Sequence, residues 1–220
     1  MTTARSADAL EQTAKLVTGR GGTALALAAD VNDPGQLGAA LTRIGAEWGG
    51  AEILINNAAV VWPLGASATL DPDEWAAAIN IDLTTVARLS FALLPAMLDR
   101  SWGRIVNVSS RIAAHPADMF RANAYTTSKA GLEAHSVNLA AEMAGTGVKV
   151  NVFRPGAVDT AMQAWIRDQA PEQIGAGLHE RFTHSYEQGT LITPEQSARS
   201  LLARLPGEVT GQIWDASDPT

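Results

Sequence analysis

Cysteine is missing from the 220 residues, which excludes disulfides and thiolate metal sites. Histidine is sparse: His115, His135, His179 and His184 are scattered and match no metal-binding spacing. No long basic run occurs, and a formal net charge of −7 argues against a nucleic-acid surface. No apolar run approaches the ~18 residues of a membrane span, and no charged-then-apolar leader precedes a cleavage site. Internal repeats, low-complexity tracts and interdomain linkers are missing too. What remains has 46% hydrophobic residues, so one packed globular domain over residues 1–220, cytoplasmic by default, is expected.

The opening stretch contains LVTGRGG, which looks like the start of a glycine-rich dinucleotide loop. Such a loop needs a strand before it and a helix after it, so that backbone N–H groups cradle a pyrophosphate. Here the order is reversed. Ser6 is placed to cap a helix through Leu10, Ala14 and Leu16, Gly19 to Gly22 stop it, and TALALAADV reads as a strand. Asp33 with Pro34 starts a second helix that Gly49-Gly50 ends, and AEILINNAA is a short strand running into an Asn56-Asn57 turn. DPDEWAAAINIDLTTVARLSFALLPAMLDR is expected to be one long helix capped by Asp71, with Pro95 kinking or breaking it near its end. Later come VKVNVFRPGAVDTAM, a strand with a Pro-Gly turn, then a helix opened by Thr193-Pro194 and a last edge strand, GQIWDAS. Strands alternating with helices indicate an α/β fold.

The chain centres on Gly103 to Met143: a buried strand from Arg104 to Val108, two serines, a loop, and a helix carrying Tyr125 and Lys129. A spacing of four puts both side chains on one helical face. A tyrosine alone is a poor acid or base at neutral pH, its unperturbed pKa being about 10. A cation beside it stabilises the phenolate, and a serine hydroxyl from a strand end can bind the oxygen whose proton moves.

Taken in order, Asp30-Val31, NNAA at 56–59, IVNVSS, YTTSK and PGAVDT resemble the short-chain dehydrogenase/reductase family. The resemblance implies a doubly wound parallel sheet of the Rossmann type. It also implies an NAD(P)-dependent oxidoreductase that interconverts a carbonyl and an alcohol on a small-molecule substrate. Tyr125 would be the acid/base, Lys129 would lower its pKa and hold the ribose, and Ser110 would orient the substrate oxygen. The family's fourth catalytic residue, usually Asn, falls seven positions after Trp75 on Asp82, which donates no hydrogen bond when ionised. Asp30 and Val31 would lie near the adenine, with Asn57, Ala58 and Ala59 along the cofactor. Pro155, Gly156, Val158 and Thr160 would approach the nicotinamide and phosphates, beside Tyr125 and Lys129. Residues 163–190 match the variable substrate lid. A homo-oligomer, dimer or tetramer, is implied through the helices bearing Asp82 and Tyr125, with no membrane or nucleic-acid partner.

Family members open with a strand, the glycine-rich loop, a helix and a second strand before anything like RSADALEQ. The chain is therefore expected to be N-terminally truncated, MTTAR being the tail of the second strand, and not to bind the cofactor measurably as it stands. No acidic residue ends that strand and Arg5 is close by, which favours NADP over NAD. The alternative is a non-catalytic remnant acting as an oligomerising or partner-binding domain.

Overall fold

The computed structural model describes residues 2–4 and 7–219. In chain order the elements are β1 (Thr2–Ala4), α1 (Ala7–Thr18), β2 (Ala26–Ala28), α2 (Pro34–Trp48), β3 (Ile53–Asn56), α3 (Pro72–Ile79), a π-helical turn (Asn80–Thr84) and α4 (Thr85–Asp99). There follow β4 (Gly103–Val108), two 3-10 turns (Arg111–Ala113 and Pro116–Met119), α5 (Asn123–Glu142), β5 (Val148–Arg154), α6 (Ala161–Arg167), α7 (Pro171–Ile174), α8 (Ala176–Glu187), α9 (Pro194–Arg204) and β6 (Ile213–Asp215).

Every named strand pairing is parallel, but the strands form two sheets: β1-β2, and β3-β4-β5-β6. Consecutive strand residues face opposite sides, and β4 uses both. Ile105 packs with Leu93 and Met97 of α4 and Leu139 of α5, whereas its neighbour Val106 packs with Phe153 and Leu201 of α9. Helices on both faces explain why β4 is buried at all six positions. β3 meets β4 on one side only; its other edge has no strand partner among the described residues. That edge borders a cleft of about 970 Å³ whose walls include Ile44 and Trp48 of α2, Asn57 to Val60, and Thr85 and Leu89 of α4.

Local chemistry accounts for most helix ends. Asp33 accepts from the Gly35 and Gln36 N–H groups at the start of α2, and Thr193 with Gln196 closes a reciprocal capping box on α9. The strand within TALALAADV is shorter than expected, only Ala26–Ala28, and Asp30-Val31 lies in the turn beyond it. The proposed Ser6 cap and Arg5 lie outside the described residues. The expected single helix from Asp71 is in fact two helices joined by the π turn, where the Thr85 N–H reaches back five residues to the Asn80 carbonyl. Pro95 does not break α4, which runs on to Asp99; fully buried Met97 and largely buried Leu93 anchor its last turns. By length and composition Pro72–Asp99 could cross a membrane, but it carries the buried Asp82 carboxylate and packs on α5 and β4, as a core helix does. Residues 163–190, the expected substrate lid, are mostly helical: α6 and α7 pack on α8, and their apolar residues meet Val61, Leu64, Ile112 and Met119.

Candidate active site

Three elements converge at the carboxyl ends of β4 and β5. β4 delivers Ser109 and Ser110, α5 delivers Tyr125 and Lys129, and the π turn delivers Asp82. A π bulge shifts helical register at one point, and here it turns Asp82 fully inward. Asn80, two residues earlier, points elsewhere and hydrogen-bonds the Asn32 side chain. Gly131 lets α5 approach this turn: a Cβ there would meet Leu83 Cδ2 at 2.9 Å.

Lys129 is 2% exposed, and its Nζ donates to the Val108 carbonyl at 2.9 Å. The same ammonium lies over the Tyr125 ring, 5.7 Å from its centroid. Burial pushes the Lys129 pKa down, and the Asp82 charge opposes that shift. The Ser110 hydroxyl lies near enough to the Tyr125 phenol to favour its ionised form. Lys129 was expected to lower the phenol pKa, but the phenol is pushed up to about 12, chiefly by burial, with the Asp82 charge adding to it and the Ser110 hydrogen bond opposing. The lysine faces the ring, and the nearby carboxylate works against ionisation. Without a ligand, Tyr125 is therefore held as the neutral acid.

Asp82 is raised to about 6, by burial first, against the opposing Lys129 charge and the hydrogen bonds from Val60 and Ser128. Its Oδ1 accepts the Val60 N–H at 2.8 Å. Its Oδ2 lies 3.2 Å from the Ser128 hydroxyl, which also lies 2.9 Å from the Tyr125 carbonyl. Ser128 has one proton for two acceptors when Asp82 is ionised. When Asp82 is protonated, it donates to Ser128 and Ser128 donates to the carbonyl, so every group is satisfied.

The sign of the pH effect follows. A carboxyl whose folded pKa exceeds its unfolded value of 3.8 contributes stability below that value and loses it as pH rises through about 6. Asp82→Asn places an amide donor opposite Ser128 and keeps the acceptor for Val60. It is expected to stabilise the protein by roughly 1–3 kcal/mol at pH 7.5 and to flatten the stability change between pH 4 and 6. Urea melts at several pH values measure this; an unchanged or lower midpoint at pH 7.5 would contradict it.

The remaining predicted residues fall into two groups. Asp30, Val31, Asn57, Ala58 and Ala59 all line the cleft beside β3. Asn56 also borders that cleft, while its Nδ2 donates across the sheet to Asn107 Oδ1 at 2.8 Å. Pro155, Gly156, Val158 and Thr160 follow β5 and are not among the cleft's lining residues. The Thr160 hydroxyl caps α6, and Gly156 takes a φ of 80°, which favours glycine. Sequence reading missed Ser128, the Val60 N–H, and a buried Glu133–Arg154 pair behind Ser109. Only Glu133 had a local signal, since it lies four residues beyond Lys129 on the same stripe.

The Tyr125 side chain packs against an apolar cluster. Val61, Leu64, Ile112, Met119, Ile166, Ile174 and Leu178 form one buried cluster, with Tyr125, Met162 and Phe182 packed against it.

The family model described as short chain dehydrogenase matches residues 1–171. A 2,3-dihydro-2,3-dihydroxybenzoate dehydrogenase of Bacillus subtilis is 31% identical over 201 residues, covering 90% of this chain and 76% of its own. A 3-oxoacyl-(acyl-carrier-protein) reductase of Salmonella typhimurium is 36% identical over 139 residues, which is 63% of this chain and 56% of the reductase. The alignment thus spans little more than half of that relative. Among solved structures, an actinorhodin polyketide ketoreductase with NADPH superposes with a TM-score of 0.81 at 29% identity, covering 97% of this chain and 84% of that one.

Proposed function

Because the chain belongs to the short-chain dehydrogenase family, we propose that it is an NAD(P)-dependent oxidoreductase interconverting a carbonyl and an alcohol on a small-molecule substrate. The observation that carries this reading is the buried Lys129 ammonium over the Tyr125 ring, one turn along α5, with Ser110 beside the phenol. Ser110 orients the substrate oxygen. Tyr125 then gives that oxygen a proton in the reducing direction and takes one back in the oxidising direction. A phenol kept neutral at working pH suits the first role. Lys129, with its ammonium on the Val108 carbonyl, supports the Tyr125 ring from the side away from the substrate, and Asp82 holds the Val60 segment and Ser128 in place around the pair.

When bound, NAD(P) supplies the hydride acceptor or donor. The residues present fit part of it. Asp30 and Val31 form one end of the cleft wall and Asn57 to Ala59 another, room enough for an adenine and a ribose. Pro155, Gly156, Val158 and Thr160 are placed after β5 for the nicotinamide side. Among the described residues no multi-glycine turn leads from a strand into a helix, so the pyrophosphate finds no ready nest of N–H groups. NADP is preferred to NAD, consistent with Arg5 and the lack of an acidic residue after Ala4.

Residues 163–190 act as the substrate lid, with Ile166, Ile174 and Leu178 in the apolar cluster against Tyr125, and exclude water. The outer faces of α4 and α5, with Phe91 and Val137 exposed, pair two copies into a homo-oligomer working in the cytoplasm. The test is turnover of NADPH or NADP with a panel of ketones and secondary alcohols at millimolar cofactor. Reduction of at least one ketone is expected. Inactivity across the panel would return the chain to the non-catalytic, partner-binding alternative.

A further inference from the structure

A polar cluster lies one helical turn beyond Lys129, on the side away from the phenol. Tyr125, Lys129 and Glu133 form a stripe along α5 at successive spacings of four, the third member being a carboxylate only 9% exposed. Arg154, the last residue of β5, grips that carboxylate bidentately: Nε donates to Oε1 at 2.9 Å and Nη2 to Oε2 at 2.8 Å. Oε1 also accepts the Ser109 hydroxyl at 2.8 Å, and Ser109 is 2% exposed. A planar guanidinium fixes the carboxylate in position and in plane, which a single hydrogen bond does not.

The cluster adds a side-chain tie between the ends of β4 and β5, whose backbones are already paired. Ser109 precedes Ser110, the residue that meets the phenol, and the Ser109 N–H pairs with the Phe153 carbonyl of β5 at 2.8 Å. Arg154 precedes the Pro155-Gly156 turn. A loose strand end would let Ser110 swing: its hydroxyl is otherwise engaged locally only by the Ile112 N–H, at a long 3.4 Å. The hydrogen bonds from Arg154 to Glu133, and then the Glu133 charge, raise the Arg154 pKa, so the guanidinium stays charged.

We propose that Glu133, clamped by Arg154, is a positioning residue that holds Ser109 and thereby sets Ser110 against Tyr125. This rests on the oxidoreductase reading above. Ser109→Ala cuts the link and leaves the ion pair intact. Glu133→Ala removes both, and Glu133→Gln restores an acceptor for Ser109.

Two measurements separate the outcomes. The first needs no turnover: amide exchange at Ser110 and Ile112 should quicken by about tenfold or more in Ser109→Ala, with exchange in α5 and the thermal melt unchanged. The second is steady-state kinetics. Ser109→Ala should lose about ten- to a hundredfold in kcat with the cofactor KM kept, because misplacement of a reacting group by about 1 Å is enough for that. Glu133→Ala should lose kcat and raise the cofactor KM as well, through the freed Pro155-Gly156 turn, while Glu133→Gln recovers kcat to within about threefold of the parent. A Ser109→Ala protein with parental exchange at Ser110 and Ile112 overturns the proposal, as does one with quickened exchange and parental kcat. If the parent itself turns over no ketone, the oxidoreductase reading fails instead, and exchange alone decides whether the cluster holds Ser110.

Discussion

Tyr125→Phe is expected to lower turnover by about 10²- to 10⁴-fold, the share that a positioned general acid contributes. The melting temperature should stay close to the parent's. The ring is retained, so its packing against the Ile112, Met119 and Ile166 cluster survives. What is lost is the phenol oxygen beside Ser110, whose proton no other side chain at that position can supply. Lys129 does not substitute, because its Nζ is committed to the Val108 carbonyl behind the ring. Turnover within about tenfold of the parent would remove Tyr125 from the mechanism. A large fall in melting temperature would show instead that the phenol oxygen is needed for the fold.

A weak cofactor complex is the second large effect. For the 220-residue polypeptide the NADPH dissociation constant should exceed about 1 mM, a binding free energy no better than roughly −4 kcal/mol. The cleft beside β3 offers contacts to the ends of the molecule, but a pyrophosphate without a helix N-terminus or an N–H nest stays solvated. The net charge of −7 supplies no general attraction to a polyanion. Calorimetric titration with NADPH and NADH is the measurement. A micromolar constant would mean that another turn cradles the phosphates, and the exposed turn at Gly19 to Gly22 would be the first to mutate.

Features written in neighbouring residues were legible in the sequence. The Asp33 cap, the Thr193–Gln196 box and the helical stop after Thr18 depend on contacts within a few positions, and all are present. So was the placing of Tyr125 and Lys129 on one face of α5, through their spacing of four. Contacts between distant segments were not legible. Nothing near Asp82 says that its carboxyl will take the N–H of Val60, twenty-two positions away. The π turn was hidden because one extra residue in a helix leaves the apolar pattern nearly intact. Helices α6 and α8 were hidden because Pro171, Gly175, Gly177 and Gly189 break up a stretch of mixed polarity, whereas their apolar residues are satisfied by packing against distant Val61, Leu64, Ile112 and Met119.

The unpaired side of β3 has a colloidal consequence. Ile53 and Ile55 are 43% and 41% exposed there, beside a row of backbone groups free to pair with another molecule. Such an edge is sticky, and the like charge of neighbouring molecules is what keeps it apart from its copies. That repulsion reaches about 10 Å at 0.1 M salt and about 3 Å at 1 M, less than the ~4.8 Å between paired strands. Light scattering should therefore rise with added salt at constant pH, and a lysine at Ile55 should suppress the rise.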